Sequence, residues 1–246
     1  MSRPLGVTAR TRFWEVDAAR GLAIVAMVAF HCVWDWAYFS DAALDEGARY
    51  FSGPIAGSFI LLLGLSVALD RDRTRARGCS LAGRAAYRVA LIGGAAGLVT
   101  LGTRLALPDS FVYFGILHLL AACTLLLAFT AHFGAVANAV IGIAVLVIGW
   151  SGLLDAAAPE PWLAILGWEA PRATVDWYPL APWAGFAFLG FAVGRTLYAG
   201  GARRFALPDR SRATAPLEAL GRHSLLIYLT HQVVLFPLFW LVAVVL

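Results

Sequence analysis

Long apolar stretches alternate with short polar ones along the whole chain, and this pattern predicts membrane-spanning helices. A transmembrane helix needs about 20 mostly apolar residues. Seven stretches meet or nearly meet this length: Gly21 to Phe39, Tyr50 to Leu69, Ala85 to Leu101, Val112 to Thr130, Val136 to Leu154, Leu180 to Tyr198 and Ser224 to Val245. We therefore predict an all-α, polytopic bundle of about seven transmembrane helices, folded as a single domain over residues 1–246.

The composition agrees with a membrane protein. The chain of 246 residues is 61% hydrophobic and 14% charged, and its mean hydropathy is +0.76. A soluble domain has about 45 to 50% apolar residues. The three cysteines, Cys32, Cys79 and Cys123, have neither an even count nor metal-ligand spacing. We therefore predict no disulfide framework and no metal site.

The arginines predict the orientation of the chain in the membrane. The sequence has no lysine, and 16 of its 19 cationic residues lie on the side of the N-terminus in the seven-span arrangement. Only Arg49, Arg104 and Arg172 fall on the opposite side. Because cationic residues accumulate in cytoplasmic loops, we predict a cytoplasmic N-terminus and a C-terminus outside. Orientation also explains the positive net charge, so we predict no nucleic-acid partner.

The first predicted helix carries four ionisable residues: Asp17, Arg20, His31 and Asp35. They share one face, because the eleven positions from Arg20 to His31 make about three turns. The same rise separates these two groups by roughly 16 Å along the axis. An ionisable group at membrane depth costs about 2.5 to 3.5 kcal/mol on insertion scales. A stripe of four such groups therefore predicts a functional site.

The residue types on this helix fit acyl transfer across a membrane. Asp35 can hold one nitrogen of His31, which leaves the other nitrogen free as a general base. Arg20, with Arg88 or Arg222 at similar depth, can bind phosphates through charge-assisted hydrogen bonds. We therefore predict that cytoplasmic arginines hold an anionic thioester donor. His31 would then deprotonate an acceptor hydroxyl or amine, or take the acyl group itself.

Two later spans carry further histidines. His118 lies near the outer end of the fourth, at a depth comparable with that of His31, so the two could meet across one cavity. His231 lies at mid-depth in the seventh, on the same face as Tyr228 and beside Gln232. A lone histidine in such a helix also serves as a packed, hydrogen-bonded residue between helices.

Four sequence blocks together resemble one protein family. Asp17-Ala-Ala-Arg20-Gly-Leu-Ala-Ile, followed by His31 and Asp35, resembles the first helix of the heparan-alpha-glucosaminide N-acetyltransferase catalytic-domain family, within the transmembrane acyltransferase superfamily. Three later blocks resemble this family in the same order: Phe114-Gly-Ile-Leu-His118, Asp176-Trp-Tyr-Pro-Leu-Ala-Pro-Trp183, and Leu220-Gly-Arg222-His-Ser-Leu-Leu-Ile-Tyr228-Leu-Thr-His231-Gln232. The spacing from Arg20 to His31 is also similar to the signature of acyltransferase-3 proteins.

The resemblance implies transfer of an acyl group, usually acetyl, from cytoplasmic acyl-coenzyme A to a sugar on the other side of the membrane. We expect His31 and Asp35 to be catalytic. We also expect the acyl donor, which is acetyl-coenzyme A, and the sugar acceptor to bind separate sets of residues. The donor set is Arg20, Arg88, Arg222 and Tyr228, and the acceptor set is His118, Asp176, Trp183, His231 and Gln232. Residues 40–52 contain no histidine, so we prefer direct attack with His31 as base to a covalent acyl-histidine. We expect an integral protein of a bacterial inner membrane, in which a homodimer is one way to complete the cavity.

Two other classes of membrane protein also use intramembrane histidines. A transporter or proton relay has chains of histidine and aspartate within its helices. A membrane haem protein would use His31, His118 and His231 as axial ligands. A retinal protein is excluded, because a chain without lysine cannot form the Schiff base.

Overall fold

The computed structural model describes residues 12–40, 46–155, 160–169 and 173–245, with the side chains of residues 46–49 and 161 left out. The predicted topological roles of Arg3, Arg10 and Arg172 lie outside these ranges. Within them the α-helices are α1 (Trp14–Phe39), α2 (Glu46–Ala76), α3 (Leu81–Ala106), α4 (Ile116–Thr130), α5 (Gly134–Trp150), α6 (Leu180–Leu197), α7 (Ala215–Arg222) and α8 (Ser224–Val245). No strand forms in the described ranges, so the prediction of an all-α bundle is confirmed.

Six stretches of the described residues are long and apolar enough to cross a membrane. The longest, Ile116–Trp150, has 35 residues, and a 3₁₀ turn at Ala131–Phe133 divides it into α4 and α5. Gly134 follows the turn with a φ of +87°, a left-handed conformation that glycine adopts without steric cost. The fourth and fifth predicted spans are therefore separate helices.

The helix ends differ from the predicted ones at the start of α1, which begins at Trp14 rather than Gly21, and around the arginine-rich segment. α2 and α3 run to Ala76 and from Leu81, several residues beyond the predicted limits, because arginine and alanine favour helix whether or not lipid surrounds them. α4 starts at Ile116 rather than Val112, since Val112 is held in the preceding loop by a hydrogen bond from its backbone nitrogen to Thr103. α8 has the predicted limits.

The described residues form two compact units. One contains the residues up to Ala48 and from Pro208 onward, and the other is Arg49–Leu207. We call them the terminal unit and the central unit. The terminal unit holds α1, α7 and α8, and the central unit holds nearly all of α2 and the whole of α3 to α6. The single-domain prediction stays a prediction.

Glycines allow very close helix packing inside the terminal unit. A Cβ on Gly21 of α1 would lie 1.9 Å from the backbone oxygen of Leu217 on α7, and one on Gly221 would lie 1.8 Å from the oxygen of Asp17. No side chain fits at such distances, so the two backbones touch directly. α8 lies beside α1 further along, where the rings of Phe39 and Phe236 are 4.8 Å apart.

The central unit has an apolar core between α2, α4 and α6. Its fully buried side chains include Ile60, Leu119, Leu127, Ala187 and Phe191. α2 and α6 run parallel and α5 runs antiparallel to α6, as shown by the neighbours of their glycines: Gly53 beside Trp183, Gly194 beside Ala68, Gly142 beside Gly185, and Gly149 beside Pro182. The core fixes the loop that precedes α6, which carries predicted site residues.

Candidate active site

α1 has an exposed apolar face and a buried polar face. The exposed positions recur every three or four residues: Leu22, Val25, Ala29, Val33 and Trp36. On the opposite face, Asp17 and Asp35 are 6% and 0% exposed, and Arg20 and His31 are half-buried. Intramembrane ionisable residues normally turn away from lipid. The predicted polar stripe of α1 does so here.

His31 on α1 and His231 on α8 form a pair of imidazoles. Their ring centroids lie 4.7 Å apart, and the ring planes are tilted by 57°. The sequence placed both histidines at functional depth but assigned them different roles and did not predict this contact. α8 brings them together because it packs along the polar face of α1.

A backbone hydrogen bond fixes the tautomer of His231. Nδ1 of His231 lies 2.7 Å from the backbone oxygen of Tyr228. A carbonyl oxygen only accepts, so Nδ1 carries the hydrogen and donates it. In the neutral ring, Nε2 is then the unprotonated and basic nitrogen. This Nε2 is buried and has no hydrogen-bond partner among the described residues.

Asp35 has a different partner from the predicted one. Nε2 of Gln232 on α8 donates to Oδ1 of Asp35 at 3.2 Å, whereas the sequence suggested that Asp35 would hold a nitrogen of His31. Nδ1 of His31 and Oδ2 of Asp35 both lack a partner within the described part of the chain. The predicted hydrogen bond between Asp35 and His31 is therefore wrong, because the neighbouring helix places Gln232 within reach of the carboxylate.

Four neighbouring residues, the imidazole cluster, each carry one buried polar atom without a partner. Within the described ranges these atoms are Nδ1 of His31, Oδ2 of Asp35, Nε2 of His231 and Oε1 of Gln232. Each such atom costs about 1 to 3 kcal/mol, and native proteins contain few of them. Four in one cluster indicate a place where a proton, water or a polar ligand binds.

Arg20 belongs to a separate group of charges at the start of α1. Its Nη1 donates to Oδ1 of Asp17 at 2.7 Å, and Nε of Arg12 lies 3.8 Å from Oδ2 of the same carboxylate. Ile24 and Met27, 2% and 4% exposed, occupy the same face between this group and the imidazole cluster. Two buried apolar side chains thus lie on this face between the two polar sites of α1.

Arg222 pairs with a carboxylate that the sequence analysis did not single out. Glu218 on α7 is 2% exposed. It accepts a hydrogen bond from Nε of Arg210 at 2.8 Å, and Nη1 of Arg222 lies 3.6 Å from its Oε2. The hydrogen bond from Arg210 is the main reason that the pKa of Glu218 is lowered. The spacing of Glu218 and Arg222, four residues apart on a helix, was the available signal.

The two groups of charges in the terminal unit lie at the same end of α1. Gly221 of α7 touches the backbone of Asp17, so the pair of Glu218 and Arg222 lies near the pair of Asp17 and Arg20. Four guanidinium groups, counting Arg12 and Arg210, accompany two carboxylates. We call these six residues the arginine group. Its net positive charge suits an anionic ligand.

Arg88 lies in the central unit and has its own partner. Its Nη1 is 3.6 Å from Oδ2 of Asp70, and Nε of Arg84 donates to the same oxygen at 2.7 Å. Arg195 donates to Asp72 two residues further along α2. Three of the arginines that the sequence assigns to one side of the membrane therefore gather at one end of this unit. The role of Arg88 in holding a donor stays a prediction.

His118 also has a fixed tautomer. Thr100 uses its hydroxyl hydrogen in a bond to the backbone oxygen of Val112 at 3.0 Å, and Nε2 of His118 lies 3.3 Å from the same hydroxyl. Nε2 must then be the donor, which leaves Nδ1 as the basic nitrogen in the neutral ring. Nδ1 is buried and unpartnered among the described residues. The sequence indicated His118 as a site residue but gave no sign of its partner Thr100.

Asp176 holds the start of α4. Its Oδ2 accepts a hydrogen bond from the backbone nitrogen of Ile116 at 3.0 Å, so it caps a helix 60 residues earlier in the chain. Asp176 is half-buried. Its burial disfavours the charged carboxylate and raises the pKa of Asp176 to about 6. This contact gives Asp176 a structural function. Its predicted contact with an acceptor stays a prediction.

Three aromatic residues near Asp176 complete this part of the central unit. The ring of Trp183 packs edge-on against Tyr178 with centroids 4.9 Å apart, and burial raises the pKa of the Tyr178 hydroxyl. Trp177 lies between Asp176 and Tyr178, and its buried Nε1 has no partner in the described part of the chain. Nothing in the sequence distinguished Trp177 from a membrane-interface tryptophan.

The geometry of the imidazole pair does not fit a haem. Two imidazoles on opposite sides of one metal, with metal–nitrogen bonds of about 2 Å, would have ring centroids about 6 Å apart. His31 and His231 are 4.7 Å apart. These two histidines therefore do not clamp one metal between them in this arrangement.

The fold and the site define the class of protein. It is a polytopic helical membrane protein with a buried histidine and carboxylate cluster inside its membrane helices. A family model described as heparan-alpha-glucosaminide N-acetyltransferase, catalytic, matches residues 12–233. The chain belongs to this family, and the resemblance found in the sequence blocks is confirmed. The match supports a membrane acyltransferase-like role. No curated protein and no solved structure gives a significant match.

Proposed function

We propose that this protein transfers an acetyl group from cytoplasmic acetyl-coenzyme A to a sugar hydroxyl or amine on the other side of the membrane, with His31 as general base. The observation that carries the proposal is the imidazole cluster. It places two imidazole nitrogens that have no partner among the described residues inside a membrane-spanning helix pair. A base in that position suits the removal of an acceptor proton within the membrane.

The arginine group is the proposed binding site for the phosphates of coenzyme A. Arg20 and Arg222 supply guanidinium groups near one end of α1, roughly 16 Å from His31 along the helix axis. The flexible arm of coenzyme A spans a distance of this order. Tyr228 lies on α8 one turn before His231, where it would contact the thioester end of that arm. Ile24 and Met27 would form the apolar wall along the way.

The acceptor is proposed to approach the imidazole cluster from the other side of the membrane. Gln232 offers an Oε1, which has no partner among the described residues, to a hydroxyl or amine donor. In the central unit, His118 and Trp183 are proposed as acceptor-binding residues on their chemistry alone, because imidazole and indole groups form hydrogen bonds and apolar contacts with sugar rings. In the proposed reaction the acceptor attacks the thioester directly. A location in a bacterial inner membrane, the orientation and a homodimer belong to the same proposal.

A transporter or proton relay is the second candidate, because buried histidine and carboxylate groups also serve proton movement. The two functions give different products. A transporter moves glucosamine into vesicles without changing it. An acetyltransferase produces acetylglucosamine and releases free coenzyme A. Product analysis therefore separates the two.

The test uses the full chain in proteoliposomes, with radiolabelled acetyl-coenzyme A on one side and glucosamine on the other. The acetylated product is measured by chromatography and mass spectrometry. We expect His31→Ala to lower the transfer rate by about 10²- to 10⁴-fold, the usual contribution of a general base. The matched control is His132→Ala, since His132 is exposed in the 3₁₀ turn after α4. Wild-type turnover in His31→Ala would contradict the proposal.

A second variant tests the donor site. Arg20→Ala is expected to weaken binding of acetyl-coenzyme A at least about tenfold, because a charge-assisted hydrogen bond to phosphate is lost. Binding of glucosamine should change much less. Arg212→Ala is the control, since Arg212 is an exposed arginine just before α7. If wild type and Arg20→Ala bound acetyl-coenzyme A with equal affinity, Arg20 would help to orient the chain in the membrane but would not bind the donor.

A further inference from the structure

We propose that His231 is the positioning residue for the catalytic base, accepting a hydrogen bond from Nδ1 of His31 at its own Nε2. The inference rests on the proposed acetyl transfer, in which His31 takes the proton of the acceptor. It replaces the role that the sequence suggested for Asp35. His231 thus joins the reaction machinery rather than the acceptor-binding set.

A backbone hydrogen bond fixes the tautomer of His231. Its Nδ1 donates to the backbone oxygen of Tyr228 at 2.7 Å, which only accepts. Nε2 of the neutral ring is therefore an acceptor and needs a donor. Nε2 has none among the described residues.

His31 carries a ring nitrogen that can donate to Nε2 of His231. Its Nδ1 is buried and also lacks a partner in the described ranges. Two imidazoles joined by a nitrogen–nitrogen hydrogen bond of about 2.9 Å have ring centroids about 5 Å apart. The observed separation is 4.7 Å with a tilt of 57°. A separation of this size allows such a hydrogen bond once Nδ1 of His31 faces Nε2 of His231.

This hydrogen bond would prepare His31 to act as the base. When Nδ1 of His31 carries the hydrogen, the lone pair of its Nε2 is free to act as the base. The acceptor O–H or N–H bond breaks, and its proton moves to Nε2. The new bond forms between the acceptor atom and the acyl carbon. The carbon–sulfur bond breaks, and the thiolate of coenzyme A takes the proton from Nε2. Every proton and electron pair is accounted for without a further reactant.

Two oxygen atoms near the pair, the Tyr228 carbonyl and Oδ2 of Asp35, can stabilise the cation formed during this step. The positive charge on His31 is shared through the hydrogen bond with His231 and the Tyr228 carbonyl. Asp35, on the same face of α1, supplies a carboxylate oxygen without a partner among the described residues. Cys32 on α1 and the phenol of Tyr228, whose ring lies 5.6 Å from that of His231, are further titratable neighbours. Glu218 and Arg222 are the charged groups of α7. They lie at the other end of α1, where the backbone of α7 packs against Asp17 and Gly21.

The test compares two substitutions at one position. His231→Leu removes the acceptor, and we expect kcat to fall at least about tenfold while KM for acetyl-coenzyme A changes less than about twofold. His231→Gln places an amide oxygen near the position of Nε2, so kcat should recover most of the loss. The control is His223→Gln, because His223 is exposed just before α8. Wild-type kcat in His231→Leu, or equal losses in both substitutions, would overturn the proposal.

A spectroscopic measurement tests the hydrogen bond without any turnover. Nitrogen-15 NMR of the full chain in nanodiscs reports which ring nitrogen of each histidine is protonated. We expect Nδ1–H for both His31 and His231 in wild type, and a mixture of tautomers for His31 in His231→Leu. A His31 tautomer that does not respond to His231→Leu would reject the pair. If wild type transfers no acetyl group but the tautomers respond as expected, the proposed function fails and the pair remains.

Discussion

Gln232 on α8 donates to Asp35 on α1 at 3.2 Å, and this bond joins two helices from opposite ends of the chain. Asp35 is 0% exposed, so its carboxylate cannot turn to water if the partner is lost. The bond links two side chains of the imidazole cluster across the helix interface. It therefore contributes directly to holding α8 against α1.

The first prediction concerns this bond. Gln232→Leu should lower the free energy of unfolding by about 1 to 3 kcal/mol, because a buried carboxylate oxygen loses its donor. Thermal unfolding in detergent measures the effect. The control is Thr230→Ala, an exposed α8 position whose hydroxyl bonds only its own helix, and it should stay within about 0.5 kcal/mol of wild type.

A double substitution gives this prediction a sharper form. When Asp35→Leu is added to Gln232→Leu, neither polar group remains to be desolvated, and the pair can be nearly neutral. We therefore expect the double variant to be less destabilised than the sum of the two single variants. Strict additivity would mean that the two side chains do not interact in the folded protein.

The second prediction concerns the contact between α1 and α7. Gly221→Ala should destabilise the protein by about 1 to 3 kcal/mol, because the added Cβ would lie 1.8 Å from the oxygen of Asp17 and the helices must move apart. Arg20 and Arg222 would move with them. Acetyl-coenzyme A affinity should therefore fall along with the unfolding temperature.

The matched control for this contact is Gly97→Ala. Gly97 lies inside α3, and a Cβ added there would have nothing within 4 Å, so alanine should stabilise the helix by about 0.5 to 1 kcal/mol. Opposite signs for the two glycines are the expected outcome. Equal effects at both positions would show that helix propensity, and not backbone contact, decides them.

The third prediction uses the raised pKa of Asp176. Its folded pKa is about 6, above the usual value near 3.9 for an unfolded chain. The folded state therefore binds the proton more tightly, and stability should fall as pH rises from about 4 to about 6, then stay level. Asp176→Asn keeps an oxygen acceptor for Ile116 and should remove this fall. Unfolding temperatures measured on both sides of this pH range give the result.

Asp176→Ala separates the structural function from acceptor binding. It removes the cap of α4 and should cost about 0.5 to 2 kcal/mol. If Asp176 acts only as a cap, Asp176→Asn should leave KM for glucosamine unchanged. A raised KM in a fully stable Asp176→Asn would assign the carboxylate to the acceptor site as well.

The fourth prediction concerns Glu218, whose pKa the hydrogen bond from Arg210 lowers. A lowered folded pKa stabilises the protein above the unfolded value near 4.3, and this contribution is lost as pH falls through the folded value. Glu218→Gln should therefore lower the unfolding temperature at neutral pH. The difference in unfolding temperature between this variant and wild type should become smaller in acid, below the unfolded pKa. Asp209→Asn, an exposed acid nearby, should change neither. A constant difference at all pH values would contradict the charge-based explanation.

The membrane helices and the polar stripe of α1 could be predicted from the order of residues alone. A run of about 20 apolar residues has one stable conformation in lipid, since each backbone group must bond within the segment. The helical period then places Asp17, Arg20, His31 and Asp35 on one face without any tertiary information. The pair of Asp17 and Arg20, three residues apart, is likewise a local contact.

The partners of these polar groups, in contrast, depended on how the helices pack. Asp35 could have reached His31 one turn away, but the packing of α8 gave it Gln232 and gave His31 the ring of His231. Asp176 caps Ile116 because the loop before α6 returns to the start of α4. These partners lie on elements far apart in the chain. Their choice depends on close backbone approach, such as that between α1 and α7, which spacing along one helix does not encode.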